Sequence, residues 1–96
     1  MTVVPFVSCR FVPSDVQRFM EFAGPRVERR MWKPVERKSD RSGDQLLVTP
    51  AEFSEPVLSF RRDERGRYGV WFRDALGWHE IRGGECAEDC LKVLGE

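Results

Sequence analysis

The chain has 96 residues, no formal net charge and 11% aromatic residues, a composition typical of one small folded domain and not of a disordered segment. It contains no apolar run near the roughly 20 residues of a membrane-spanning helix, and its first residues lack the basic start of a secretory signal. We therefore expect a soluble cytoplasmic domain whose three cysteines (Cys9, Cys86 and Cys90) are reduced thiols.

The first elements in chain order are a strand and a helix. Residues 2–12 are rich in β-branched and aromatic side chains, but Pro5 restricts them to an edge strand or a bent one. Apolar residues at helical spacing follow from residue 13, with Ser14 placed to cap the helix. Gly24 and Pro25 predict the end of this helix.

The middle of the chain gives weaker signals. Residues 26–36 fit a short second helix or an irregular strand, because their apolar positions suit both periods. Residues 37–45 are polar and predict a mobile loop, and residues 45–49 predict a short strand. The capping-box spacing after Thr49 then predicts one helical turn that ends near Glu55.

The C-terminal half predicts a β-meander followed by a helix. Its strands are residues 57–62, 68–73 and 78–82, its loops are residues 63–67 and 74–77, and its helix is residues 85–94. In the middle strand Tyr68, Val70 and Phe72 share one face, and Trp71 lies on the other. We expect Val70 and Phe72 to be buried.

These elements predict the α+β class: a small single domain, residues 1–96, with an antiparallel β-meander packed by an N-terminal and a C-terminal helix. The meander comprises the three C-terminal strands plus one or two N-terminal or central strands.

Few residues in the sequence suggest a catalytic or metal-binding site. His79, Cys86 and Cys90, with the distant Cys9, are the only set with soft metal ligands, but the spacing of Cys86 and Cys90 puts both thiols on one helix face, where cysteine behaves as a small hydrophobe. A thiol nucleophile at Cys86 is disfavoured by the acidic residues around it. No phosphate-binding loop or hydrolase motif is present in the sequence. We expect no metal, no cofactor and no enzymatic activity, and interpret Cys86 and Cys90 as a buried structural pair.

Charge is distributed unevenly along the chain. Residues 26–41 hold seven basic and three acidic residues, residues 61–73 hold five and two, and residues 74–96 hold two and six. Thirteen of the 16 basic residues are arginine, which favours fork-like pairing with carboxylates or phosphates. The simplest interpretation is that these charges are solvated or neutralise each other across the fold.

The arginines and tryptophans also suggest a binding surface, because both residue types are enriched at protein interfaces. We nevertheless expect at least two of the three tryptophans to close a thin core. The predicted binding residues are Arg29, Arg30, Trp32, Lys33, Arg61, Arg62, Arg65, Arg67 and Trp71.

The favoured function is a non-enzymatic protein-binding protein. A small single domain with many arginines, available tryptophans and no catalytic set is typical of stoichiometric inhibitors and adaptors. These include the small inhibitors that phages and mobile elements make against host defence machinery. The alternative is a nucleic-acid-binding module that uses residues 26–41 and 61–73, which the neutral overall charge disfavours. We expect no membrane partner.

Overall fold

A computed structural model describes residues 10–95 of the chain. The elements in chain order are α1 (Pro13–Glu28), β1 (Glu36–Asp40), β2 (Gly43–Val48), β3 (Leu58–Asp63), β4 (Tyr68–Asp74), β5 (Gly77–Gly84) and α2 (Ala87–Leu91), which a 3₁₀ helix (Lys92–Gly95) extends.

The five strands form one antiparallel sheet in the order β1-β2-β3-β4-β5. Each strand pairs with the next one in the chain, so the sheet is a meander, and both helices pack on the same face of it. The predicted α+β class and the predicted C-terminal meander are confirmed. Both additional strands, β1 and β2, come from the central part of the chain. The part of the predicted N-terminal strand in residues 2–9 lies outside the described residues.

Helix α1 begins one residue earlier than its predicted cap. Val12 is the N-cap, and its N–H donates to the Asp15 carboxylate at 3.0 Å. Pro13 takes the first helical position, where its missing N–H costs nothing. The prediction of Ser14 as the cap is therefore wrong, because Ser14 lies inside the first turn.

The predicted end of α1 at Gly24 and Pro25 is also wrong, since the helix continues to Glu28. Proline removes its own N–H donor and crowds the carbonyl four residues earlier, but other contacts hold the last turn. The Arg29 N–H donates to the Pro25 carbonyl at 3.0 Å, and the Arg26 guanidinium donates to the Phe22 carbonyl at 2.7 Å. Packing of the helix against the core thus outweighs the local stop signal.

The segment 26–36 is neither a second helix nor an irregular strand, so both interpretations were wrong. Residues 26–28 complete α1, residues 29–35 are irregular, and β1 begins at Glu36. Arg30 adopts a φ of 60°, a conformation in which the N–H groups of Met31 and Trp32 reach the Arg26 carbonyl at 2.9 and 3.2 Å. The chain then bends away from the helix, and Trp32 forms an isolated β-bridge with Pro50.

The polar stretch predicted to be a mobile loop is a β-hairpin. Strand β1 is exposed along its whole length, so its lack of apolar residues is compatible with an edge position. The two-residue turn is closed by Asp40, whose carboxylate accepts the Ser42 N–H at 2.8 Å. Gly43 follows with a φ of 140°, which favours glycine.

The helical turn predicted after Thr49 is absent. The Ala51 N–H, which a helix N-cap would engage, donates instead to the Met31 carbonyl at 3.0 Å. The Lys33 N–H donates to the Thr49 carbonyl at 2.9 Å, so this loop pairs with the segment after α1. Tertiary pairing has replaced the local capping pattern.

The core lies between the helices and one face of the sheet, with Phe60 at its centre. The Phe60 ring stacks on Phe11, Phe19 and Tyr68 at centroid distances of 4.9, 5.7 and 5.9 Å. Phe11 is buried but lies outside any strand, so the described end of the predicted first strand, residues 10–12, is not strand.

Val70 is fully buried as predicted, whereas Phe72 is 44% exposed, so the prediction of a buried Phe72 is wrong. The two residues lie on the same face, as Phe72 pairs with Leu58 and Val70 with Phe60. The register shift between β4 and β5 falls just after Val70, which is the last residue of β4 in the core cluster, although Leu58 opposite Phe72 still belongs to that cluster. On β4 the core therefore includes Val70 but not Phe72.

The C-terminal helix is shorter than predicted. Cys90 is buried, but Cys86 is the exposed N-cap of α2, so the two thiols do not form a buried pair. Burial raises the pKa of the Cys90 thiol, which makes it a poor nucleophile. Within residues 10–95, no helix has both the length and the apolar character needed to cross a bilayer.

Candidate interaction surface

The sheet has a second face that no helix in the described part of the chain covers. We call it the open face. Because side chains alternate along each strand, the register places the following residues on it: Glu36, Lys38, Gln45, Leu47, Ser59, Arg61, Trp71, Arg73, Trp78 and Glu80. The buried core residues of the strands point to the opposite face.

Arg61 lies between two tryptophans at the centre of the open face. Its guanidinium carbon is 4.7 Å from the Trp71 ring and 4.9 Å from the Trp78 ring. Both distances are within the range of cation–π attraction. The Nε of Arg61 donates to the Ser59 hydroxyl at 3.0 Å, which fixes the side chain in this position.

Arg61 has no carboxylate partner among the described residues. None of the ion pairs within residues 10–95 includes it. Burial lowers the pKa of its guanidinium, and no nearby acid opposes this effect. The open face therefore holds a partly desolvated cation between two aromatic rings.

Two glycines make room for the side chains on this face. A Cβ at Gly69 would lie 2.9 Å from Nε1 of Trp71, and a Cβ at Gly83 would collide with the Glu80 carboxylate and the Arg67 guanidinium. Arg67 and Glu80 form an ion pair of 2.9 Å above these positions. The glycines thus allow large side chains to lie flat across the strands.

A groove of about 340 Å³ lies beside Trp78, and we call it the cationic groove. Lys38, Arg61 and Arg73 line it, together with one acid, Glu55. Arg73 is held in place because its guanidinium pairs with Glu55 at 2.7 Å and donates to the Pro56 carbonyl at 2.8 Å. Lys38 is exposed and forms no ion pair within the described residues.

The structure brings only part of the predicted site together. Arg61, Arg67 and Trp71 meet on the open face. Arg62 points to the other side, where its guanidinium covers the Tyr68 ring at 4.9 Å, and Arg65 is exposed in the β3–β4 loop.

The remaining predicted residues lie at the opposite end of the sheet from that loop. Arg29 and Arg30 are exposed where α1 ends, and Lys33 donates to the Phe53 carbonyl at 2.6 Å. Trp32 packs against the core and contacts Phe22 at 5.6 Å, so it is the only tryptophan that the core cluster includes. The expectation that at least two tryptophans close the core is therefore wrong.

The predicted binding residues did not include Lys38, Arg73 or Trp78, although the segments 26–41 and 61–73 of the nucleic-acid alternative contain Lys38 and Arg73. A usable signal existed for Trp78, because closing the second hairpin pairs it with Arg73, which shares a face with Trp71. No such signal existed for Lys38, since its strand was not predicted.

Two buried carboxylates belong to the architecture of the fold. Asp44 accepts hydrogen bonds from the Phe11 N–H at 2.9 Å, from Arg37 at 2.6 Å and from Ser39. Burial alone would raise the pKa of Asp44, but these donors outweigh it and lower that pKa to about 2. Asp15 accepts the Tyr68 hydroxyl at 2.8 Å, and burial together with this bond raises the pKa of Tyr68 to about 12.

The open face offers aromatic stacking, cation–π contact and hydrogen bonding to anions. The candidate metal ligands do not join it: no group of three or more His, Cys, Asp or Glu residues within residues 10–95 could hold a metal ion, and Cys9 lies outside that range. His79 pairs instead with Asp74 at 3.0 Å in the β4–β5 hairpin.

The chain matches no protein-family model, no curated protein and no solved structure.

Proposed function

We propose that this chain is a non-enzymatic binding protein of the cytoplasm, and that it acts as a stoichiometric inhibitor or adaptor by covering part of a partner protein with its open face. The observation that carries the proposal is the position of Arg61, which lies between Trp71 and Trp78 and has no carboxylate partner within residues 10–95. The two free thiols, Cys86 and Cys90, are compatible with a reducing compartment.

The physical argument starts from the residue types. Tryptophan and arginine dominate the binding energy of protein interfaces, where truncation of an anchor costs about 2 kcal/mol or more. Here Ser59 and the two rings already hold the Arg61 side chain in one position. Less side-chain entropy is lost on binding when an anchor is ordered beforehand, so this cluster is suited to contact a partner.

The charges on this face favour protein over nucleic acid. Arg67 is paired with Glu80 and Arg73 with Glu55, which leaves Arg61 and Lys38 as the cations of the face without an ion pair within residues 10–95. Binding to a phosphate backbone depends on an excess of positive charge. A mixed surface with aromatic anchors instead suits a protein partner.

A nucleic-acid-binding module is the second candidate. Trp71 and Trp78 are half-buried on a sheet face that no helix in residues 10–95 covers, a position in which aromatic rings can stack on unpaired bases. Since stacking tolerates any base, this function would not require a sequence-specific contact.

The test is affinity purification of the tagged chain from its native host, with protein and nucleic acid both identified and nuclease treatment in parallel. We expect a protein at near-equal molar ratio, retained after nuclease treatment. Trp71→Ala with Trp78→Ala should weaken its retention about 30-fold, which corresponds to about 2 kcal/mol. Arg61→Gln, which keeps the side chain's length, should weaken it as well.

The matched control is Met20→Ala, which removes an apolar side chain that is 37% exposed on α1. It should leave retention unchanged, and circular dichroism should show all variants folded. Retention of the same protein by the folded double variant would refute the use of the open face. Recovery of nucleic acid alone would favour the second candidate.

A further inference from the structure

More basic than acidic side chains line the cationic groove. Three basic side chains line it, Lys38, Arg61 and Arg73, against one carboxylate, Glu55. Glu55 is already engaged by Arg73 at 2.7 Å. A local excess of cations in a concave and partly desolvated site attracts an anionic group.

The walls of the groove are apolar next to these charges. Leu47 is 6% exposed, and Pro56 and Trp78 are half-buried beside it. A ligand in this groove would therefore place an anion against the cations and an apolar group against Trp78. Peptide segments that carry an acidic residue next to an aliphatic one have this composition.

We propose that the cationic groove receives an acidic side chain from a segment of the partner protein, with a neighbouring aliphatic side chain packed on Trp78. This inference rests on the proposed function and adds the chemistry of the partner. Arginine forks and lysine both bind carboxylates through charge-assisted hydrogen bonds.

A phosphate backbone fits this surface less well than a single carboxylate. A polyanion extends beyond the groove, and on the open face it would approach Glu80 as well as Glu36, which pairs with Leu47 in the register. A carboxylate on a peptide needs only the groove. The charge pattern therefore favours a local acidic contact.

The test uses the indole N–H resonances of the full chain in a nitrogen-15 NMR spectrum. The probe is a peptide with blocked ends and the sequence Gly-Ser-Glu-Leu-Glu-Ser-Gly, with a control peptide in which both Glu are replaced by Gln. We expect the acidic peptide to shift Trp78 saturably while Trp32, which packs on the core, stays unchanged. The dissociation constant of the Gln peptide should be at least about 10-fold higher, as expected for the loss of a charged hydrogen bond.

Lys38→Glu should weaken binding of the acidic peptide about 10-fold or more, because it reverses the charge of a groove cation that, like Arg61, has no ion pair within residues 10–95. Lys92→Glu makes the same charge change at a side chain that is 62% exposed on the helical side, and it should have no effect. Equal binding of both peptides, or equal effects of both substitutions, contradicts the inference.

Inorganic phosphate and a short oligothymidylate complete the test. If either ligand shifts the Trp78 indole resonance saturably and the acidic peptide does not, the groove is a phosphate site and the inference is wrong. If no anion shifts Trp78 but the double tryptophan variant still loses its partner protein, the groove inference fails while the proposed function stands. If the partner is retained by that variant, the proposed function itself fails.

Discussion

Asp44 links the start of the described chain to the β1–β2 hairpin, since its buried carboxylate accepts hydrogen bonds from Phe11, Arg37 and Ser39. These donors lower the pKa of Asp44 from 3.8 to about 2. A carboxylate whose pKa is lower in the folded state stabilises the fold above the unfolded pKa, and this stabilisation is lost as pH falls through the folded pKa.

We therefore expect the contribution of Asp44 to be complete above about pH 4 and to disappear towards about pH 2. It amounts to about 2 kcal/mol, because one pKa unit is worth about 1.4 kcal/mol. Urea unfolding of Asp44→Asn against the original chain should show a difference that is large at neutral pH and narrows in this window. Glu64→Gln, at an exposed loop acid, is the control and should give no such change. A difference for Asp44→Asn that is constant with pH would contradict the assignment.

Alternation along β4 correctly predicted which residues share a face, but not which of them are buried. Val70 and Phe72 both point to the helical side, yet only Val70 reaches the core. Burial at position 72 depends on how far the core extends along the sheet, which no pattern within the strand specifies. The same reasoning applies to Trp71 and Trp78, whose position beside Arg61 results from strand pairing.

Among the elements, α1 shows where local signals fail. Gly24 and Pro25 predict its end, but buried Phe19 and Ala23 and the contacts of Arg26 hold the last turn in helical form. For strand β1 the local sequence predicts a loop where a strand forms. It has no apolar alternation, and it is a strand because it pairs with β2. The meander strands β3 to β5 were predictable because each carries β-branched or aromatic residues between turn signals.

The continuation of α1 makes a prediction about glycine. Gly24 lies in the helix interior, and a Cβ there would meet nothing within 4 Å. Gly24→Ala should therefore raise the free energy of unfolding by about 0.5–1 kcal/mol, since alanine loses less backbone entropy on folding. Chemical denaturation with and without the substitution measures this difference.

Gly43→Ala is the contrasting substitution. Gly43 has a φ of 140°, and a Cβ there would collide with the Arg62 carbonyl on the neighbouring strand. It should destabilise the fold by more than Gly24→Ala stabilises it, because the backbone of β3 must move. If Gly24→Ala is instead destabilising, α1 ends near residue 24 as the local sequence predicts.

For the molecule as a whole, folding partly cancels the charge separation seen along the sequence. Acids from the C-terminal part of the chain reach basic residues elsewhere: Glu88 pairs with Arg18 at 2.7 Å and Glu80 with Arg67 at 2.9 Å. The two basic stretches are also divided, since Arg29 and Lys33 lie at one end of the sheet and Arg65 at the other. No single face therefore collects the arginines that the sequence places close together.

This distribution predicts that the chain does not bind nucleic acid by charge alone. Non-specific binders show dissociation constants of about 1–100 μM near physiological salt, and they depend on releasing counterions from neutralised phosphates. We expect titrations with single- and double-stranded DNA and RNA at about 0.1 M salt to show no saturation up to about 100 μM. The open face provides only Lys38 and Arg61 as cations outside its ion pairs within residues 10–95, too few for a steep salt dependence. The contrary result is saturable binding that the double substitution Trp71→Ala and Trp78→Ala abolishes, with an association constant whose logarithm falls linearly with the logarithm of the salt concentration. It would make the open face a nucleic-acid-binding surface on which bases stack on the two tryptophans.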